Sequence, residues 1–322
     1  MDWTRLAVDG RVTALHGGRC AGVTGEGDAF VARLRLPHPA PTTYDGLVVD
    51  SFGVLGVAPG EQTWLTGRGA DGRLHLWSAY DDGSMFVPHS LEAVDAMWAA
   101  PALPAQGEVV LTCHLADGAW LLRVHAREAA ILGGRPQARD LPLGADPDAA
   151  LVVGFRETQP LVVAGLLGDT GSPTAWSLGA GDEDWRRIHL APTPSALTSV
   201  GLSWDGRHTW VGGVAEGRTV AWEVLALPFR GLLRTAPVAI PRLEVDPGAT
   251  GRALVLVDGG GGPLPAYVVA TARGNRLCWH DGTEWKAHPA PDGALRAACA
   301  AGGAVHLLVG SQVWSVEDPT AS

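Results

Sequence analysis

The feature that most constrains this chain is a tryptophan that returns at a set place in a repeated hairpin pattern. Thr63-Trp64-Leu65 leads through Ala70-Asp71-Gly72-Arg73 to Leu76-Trp77. Thr209-Trp210-Val211 leads in the same way through Ala215-Glu216-Gly217-Arg218 to Ala221-Trp222. Gly274-Asn275 heads into Leu277-Cys278-Trp279, so that in all three segments Trp follows a glycine by five residues. Short apolar runs around such turns predict strand hairpins, because Asp-Gly supplies the positive φ that matches strand twist. Long amphipathic helical periodicity is nearly absent, which leaves a sandwich, a barrel or a radial repeat.

The tryptophans fall into two classes. One sits near the middle of the strand after the turn, at Trp77, Trp176, Trp222, Trp279 and Trp314. The other follows an acid and opens the next strand, in Asp184-Trp185-Arg186, Glu284-Trp285-Lys286 and Asp2-Trp3-Thr4. The last of these lies at the start of the chain. The end of the chain, Val305 to Val309 and Gln312 to Val316, supplies the two strands that elsewhere precede an acid–Trp strand. Residues 2–8 are therefore expected to complete the last sheet, which removes an open edge. Innermost strands are predicted to begin near Arg11, Leu47, Glu92, Leu151, Leu197, Arg252 and Leu295. That pattern describes an all-β chain, a single β-propeller spanning residues 1–322 with seven four-stranded blades, with six or eight blades as alternatives. It resembles the WD-repeat propellers, with Trp in the third strand of most units. The Gly-His and Trp-Asp dipeptides of that family are missing, since Trp77 precedes Ser78, Trp222 precedes Glu223 and Trp279 precedes His280. The resemblance thus implies a fold and leaves function to be argued from sites. The third-strand tryptophans are expected to fill the wedges between blades.

Composition narrows the partners. The 322 residues are 46% hydrophobic and 18% charged, enough for a large core and too apolar for a disordered chain. The net charge is −10, Lys286 is the sole lysine, and no basic stripe occurs, so nucleic acid is not expected. No secretory signal and no spanning apolar stretch is visible, so a cytoplasmic protein away from membranes is the expectation. Cys20, Cys113, Cys278 and Cys299 are widely spaced and are read as reduced, buried thiols. The Pro- and Gly-rich stretches at 37–44, 101–107, 133–147 and 259–265 read as surface loops within one domain.

Candidate chemistry is thin. Asp169-Thr170-Gly171-Ser172 resembles the aspartic-protease turn, yet no second copy exists and the segment falls where a hairpin turn is due. Asp281-Gly282-Thr283-Glu284-Trp285 partly resembles the Asp-box of sialidase-type propellers, as does Ser203 to Trp210; the box is a structural hairpin in that family. The eleven histidines show no zinc-ligand spacing, although Cys278 and His280 would share one strand face. No metal and no cofactor is expected. What remains is the channel mouth, where His16, Asp50, Asp95, Arg156, Glu157, Asp205 and Asp258 are placed as ligand-binding candidates. Three functions follow: a non-catalytic, monomeric module binding a protein or peptide; a lyase, cyclase or hydrolase acting on a small molecule at that mouth; and a carbohydrate-binding propeller using repeated Trp.

Overall fold

The computed structural model describes residues 2–16, 18–34, 40–57, 62–69, 74–80, 86–89, 98–102, 108–115, 118–125, 137–141, 151–153, 161–166, 172–178, 186–191, 197–204, 209–226, 233–237, 242–257 and 263–319; for the strands between residues 44 and 170, and parts of others, it describes backbone alone. No helix occurs among the described residues, and hence none long and apolar enough to cross a membrane. The strands form six antiparallel sheets.

The first strand, β1 (Thr4–Arg5), belongs to the last sheet. The next seven form one sheet: β2 (Arg11–His16), β3 (Arg19–Val23), β4 (Asp28–Arg33), β5 (Ala40–Val57), β6 (Gln62–Gly69), β7 (Leu74–Tyr80) and β8 (Phe86–His89). Three four-stranded sheets follow in chain order. They are β9 (Trp98–Ala102), β10 (Glu108–Leu115), β11 (Gly118–His125) and β12 (Gln137–Leu141); then β13 (Leu151–Val153), β14 (Leu161–Leu166), β15 (Pro173–Leu178) and β16 (Arg186–Ile188). The third is β17 (Leu197–Trp204), β18 (Thr209–Ala215), β19 (Arg218–Ala226) and β20 (Leu233–Pro237). After them come β21 (Thr250–Val257), β22 (Pro263–Thr271), β23 (Gly274–His280) and β24 (Trp285–Pro289). The last sheet holds β25 (Leu295–Ala301), β26 (Ala304–Val309), β27 (Gln312–Glu317) and, outermost, β1.

The chain ends meet as the sequence predicts. Thr4 pairs with Ser315 and Arg5 with Trp314, and the Leu6 amide donates to the Val313 carbonyl at 3.0 Å. Contacts between inner strands run in order from β2 to β5, β9, β13, β17, β21 and β25, and β25 touches β2 again. The sheets therefore form a closed ring, and the fold is a β-propeller. At the seam between last and first sheets the Val12 amide donates to the Ser311 carbonyl at 3.3 Å. Gly18, at φ +75°, turns the β2–β3 hairpin there, and a Cβ on it would stand 2.9 Å from the Ala301 methyl.

The core lies between sheets, not within them. Ala175, Ile188 and Leu190 pack with Val211, Val220 and Trp222 of the following sheet. Leu277 and Trp279 pack with Val305, Leu307 and Val316. At the seam Leu308 and Val313 pack with Leu6, Val12, Cys20 and Phe30. Trp222 and Trp279 thus fill wedges as expected, with Trp314 and Trp3 packed against the latter group.

The two buried rings face opposite ways, which counting from glycine conceals. In the β18–β19 hairpin Glu216 (φ 48°) and Gly217 (φ 75°) are the two turn residues, and Arg218 opens the strand opposite Ala215. In the β22–β23 hairpin Ala272 and Arg273 turn, and Gly274 (φ 111°) is already the strand residue opposite Thr271. Trp222 is therefore four residues into its strand's pairing and Trp279 five. One step in a period-two strand exchanges faces. Trp222 fills the wedge toward the preceding sheet, and Trp279 the wedge toward the following one.

Burial of the N-terminal strand sets a test. Leu6 is only 3% exposed within the seam cluster, so Leu6→Ala is expected to lower stability by about 2–4 kcal/mol in urea unfolding. Deleting residues 1–9 is expected to bare the β27 edge and shift the protein to aggregates in sedimentation velocity.

Candidate functional site

The channel-mouth candidates are reached only in part. His16 ends β2 opposite Arg19. Asp50 lies in β5, where the pairing with β6 skips between Val49 and Ser51, near the start of that run. These two therefore fall toward opposite ends of their strands. Asp95, Arg156, Glu157, Asp205 and Asp258 lie outside the described residues; β17 ends at Trp204 and β21 at Val257, directly before the last two. The Asp169-Thr170-Gly171 turn also lies outside, in the connection from β14 to β15, the second and third strands of their sheet.

The reactive residue types that are described serve the frame. Cys20, Cys278 and Cys299 are free thiols. Burial pushes the Cys20 thiol up to about 12, with Cys299 nearby adding to the effect. Burial likewise raises Cys278 to about 11, against the lowering pull of Arg276, and Cys299 to about 11. Such thiols stay protonated near neutrality and are poor nucleophiles. Cys278 and His280 do share a face of β23, yet no group of three His, Cys, Asp or Glu placed to hold a metal ion occurs among the described residues. The His280 Nδ1 accepts the Gly282 amide at 3.2 Å, and its ring meets Trp285 edge-on at 5.4 Å.

The Asp-box segment is a hairpin, as its resemblance implies. The Asp281 Oδ1 accepts the amides of Thr283 and Glu284, both at 2.9 Å. Those amides, first Glu284 and then Thr283, hold its carboxyl below the usual range, with Lys286 adding to them. Asn275, the lone asparagine, gives its amide to the carbonyls of Pro291 (2.7 Å) and Gly293 (3.0 Å) and so shapes the loop after β24. The Tyr267 hydroxyl donates to the Val220 carbonyl at 3.1 Å, pinning one sheet to the next. Burial raises its pKa, offset in part by Thr219.

The acid–Trp class is different, because it reaches the rim. Trp285 opens β24 and Trp3 directly precedes β1, the outermost strand of its sheet. Both are half-buried and both close a wedge toward the preceding sheet. The Trp3 Nε1 donates to the Pro289 carbonyl at 2.8 Å, while Trp285 packs beside Tyr267 at 5.9 Å. Glu284 and Asp2 beside them are exposed. In register, a cation of the outer strand stands opposite the third-strand Trp in three sheets: Arg187 opposite Trp176, Lys286 opposite Trp279 and Arg5 opposite Trp314. The sequence shows each of these cations within three residues of the acid, and the pairing supplies what the spacing alone did not.

No family model matches the chain, and no curated protein matches it. Solved structures do. The WD40 repeats of RRP9 are similar with a TM-score of 0.60 at 12% identity, covering 98% of this chain and 97% of that one. YCF48 bound to the D1 peptide is similar with a TM-score of 0.57 at 11% identity, covering 98% and 94%. A mutant Aleuria aurantia lectin in complex with Fucα1-6GlcNAc is similar with a TM-score of 0.51 at 10% identity, covering 84% and 93%. At such identities the likeness is one of fold: the chain is a WD-repeat-like β-propeller.

The thiol chemistry can be checked directly. In the native protein at pH 8, Cys20, Cys278 and Cys299 are expected to resist maleimide, with peptide mapping finding them labelled only after urea is added. Rapid native labelling of any of the three would show that thiol to be accessible and acidic.

Proposed function

We propose that this chain is a single propeller of seven blades over residues 1–322 that binds a protein or peptide and carries out no chemistry of its own. Dividing β5 where its partner changes from β4 to β6 supplies the seventh unit. The observation that carries the binding reading is the similarity, over 98% of this chain, to a propeller described as bound to a peptide. Two features support it. The described cysteines are buried or half-buried and protonated, and the buried polar side chains Tyr267, Asn275 and His306 are engaged in holding loops and sheets together. A rigid ring that spends its polar groups on its own frame leaves recognition to loops and rims. Free thiols suit a reducing cytoplasm, where we place the protein as a monomer.

Carbohydrate binding is the second reading, favoured by the lectin's similarity and by the half-buried Trp3 and Trp285 beside exposed acids. It would use these rim rings, since Trp222 and Trp279 are buried. A lyase, cyclase or hydrolase at the channel mouth would need Asp50, Asp95 and Arg156.

Selection of a displayed peptide library on the immobilised full chain separates the readings. Enriched sequences that bind saturably in calorimetry, with a silent glycan array, are the expected result. A glycan signal abolished by Trp285→Ala, with no peptide enriched, would replace the peptide reading by the carbohydrate one.

A further inference from the structure

We propose that the ring is closed by an acid-sensitive latch, in which protonation of His306 opens the seam between the last sheet and β2–β4. The geometry is local to that seam. His306 lies on β26 and is 1% exposed. Its Nδ1 stands 2.6 Å from the Oγ of Ser315, which is wholly buried on β27 and is the residue that pairs with Thr4 of β1. The Nε2 is buried without a hydrogen-bond partner. The imidazole thus sits on the strand pair that receives the start of the chain.

No buried carboxylate is described there to compensate a positive charge. On the same face of the last sheet, Cys299 of β25 stands opposite His306, and Cys20 of β3 lies in the same seam cluster; both thiols are neutral. The other buried members of that cluster are apolar, among them Val12, Leu15, Phe30, Leu308 and Val313. Among charged residues on the elements packed at the seam, Arg5, Arg11, Arg296 and Glu317 are exposed, while Arg19 and Arg33 neighbour Cys20 and Ala32 and so occupy the other faces of β3 and β4. Asp28, half-buried, opens β4 on the face of Phe30 and Ala32, four residues from Ala32, the partner of Cys20. The side chain of His16, at the end of β2, lies outside the described residues. Among the residues whose side chains are described, no Asp or Glu is buried. A cation held unpaired in such a wedge is costly, and opening the wedge to water relieves it.

Burial accordingly lowers the His306 pKa from 6.5 to about 4, with the Ala301 carbonyl offsetting only part of the effect. The sign follows. A base whose pKa is depressed in the closed form contributes its full stability above pH 6.5 and loses it progressively as the pH falls toward 4. The backbone tie across the seam and the tie of the chain start to the last sheet are both short. β1 pairs through only Thr4 and Arg5, and the backbone bridges there are Leu6 to Val313 and Val12 to Ser311.

Amide hydrogen exchange on the full-length protein, corrected for the intrinsic pH dependence, tests the latch. Between pH 7.5 and 4.5 the opening measured at the Leu6 and Val12 amides is expected to rise on the order of a hundredfold. The Val211 amide, within the β17–β20 sheet, is expected to stay protected over that range. In His306→Gln the rise at Leu6 and Val12 is expected to disappear. An unchanged rise in that variant, or loss of protection at Leu6 and Val12 only together with Val211, would overturn the proposal. Should the variant not fold, the ring protons of His306 in the natural protein decide the matter by NMR: titration near 6.5 in the closed protein refutes the latch, and titration below 5 supports it.

Discussion

Everything in this molecule depends on the backbone pairing between the two ends of the chain. The described core clusters lie between sheets, and the apolar side chains in them are buried because another sheet leans on them. Leu308 and Val313 of the last sheet are covered by Val12 and Phe30 of the first, and Leu277 is covered by Leu307. A ring built this way has no spare surface. If Thr4 and Arg5 were not paired with Ser315 and Trp314, β27 would present an open edge, and Leu6 would leave the wedge it helps to fill.

The polar side chains that bridge elements belong to the same logic. The Tyr267 hydroxyl reaches a carbonyl of the preceding sheet, the Asn275 amide reaches two carbonyls of the loop after β24, and Trp3 reaches Pro289 from the neighbouring outer strand. Each is worth about 1 kcal/mol when made and costs more when left unmade in a buried setting. They fix how one sheet is set against the next, which apolar packing alone specifies loosely. A frame held this firmly can carry varied loops.

Much of the architecture was legible because it is periodic. Strand starts near Arg11, Leu151, Leu197 and Leu295 agree with β2, β13, β17 and β25, and the acid-Trp-Thr opening of the chain correctly marked a strand that belongs at its end. The direction of each tryptophan was not legible. Gly217 and Gly274 look equivalent in the sequence, but one is a turn residue and the other already a strand residue, and φ values are not written in a spacing. Asp50 and His16 looked like neighbours on one rim because both end short apolar runs, whereas β5 continues to Val57 beyond Asp50. His306 gave no signal at all. In Val305-His306-Leu307 it reads as one polar residue in an apolar strand, and only the fold brings the seam to it.

The long strand β5 has a mechanical meaning. It pairs with β4 as far as Val48 and with β6 from Val49 onward, so a single uninterrupted backbone serves as the outer edge of one group of strands and the inner edge of the next. Between β24 and β25, by contrast, residues 290–294 join two sheets outside any strand. Within β5 no such segment intervenes. Strands β2 to β8 are consequently one hydrogen-bonded sheet, in which fraying at one margin of β5 is expected to draw on the ladder at the other.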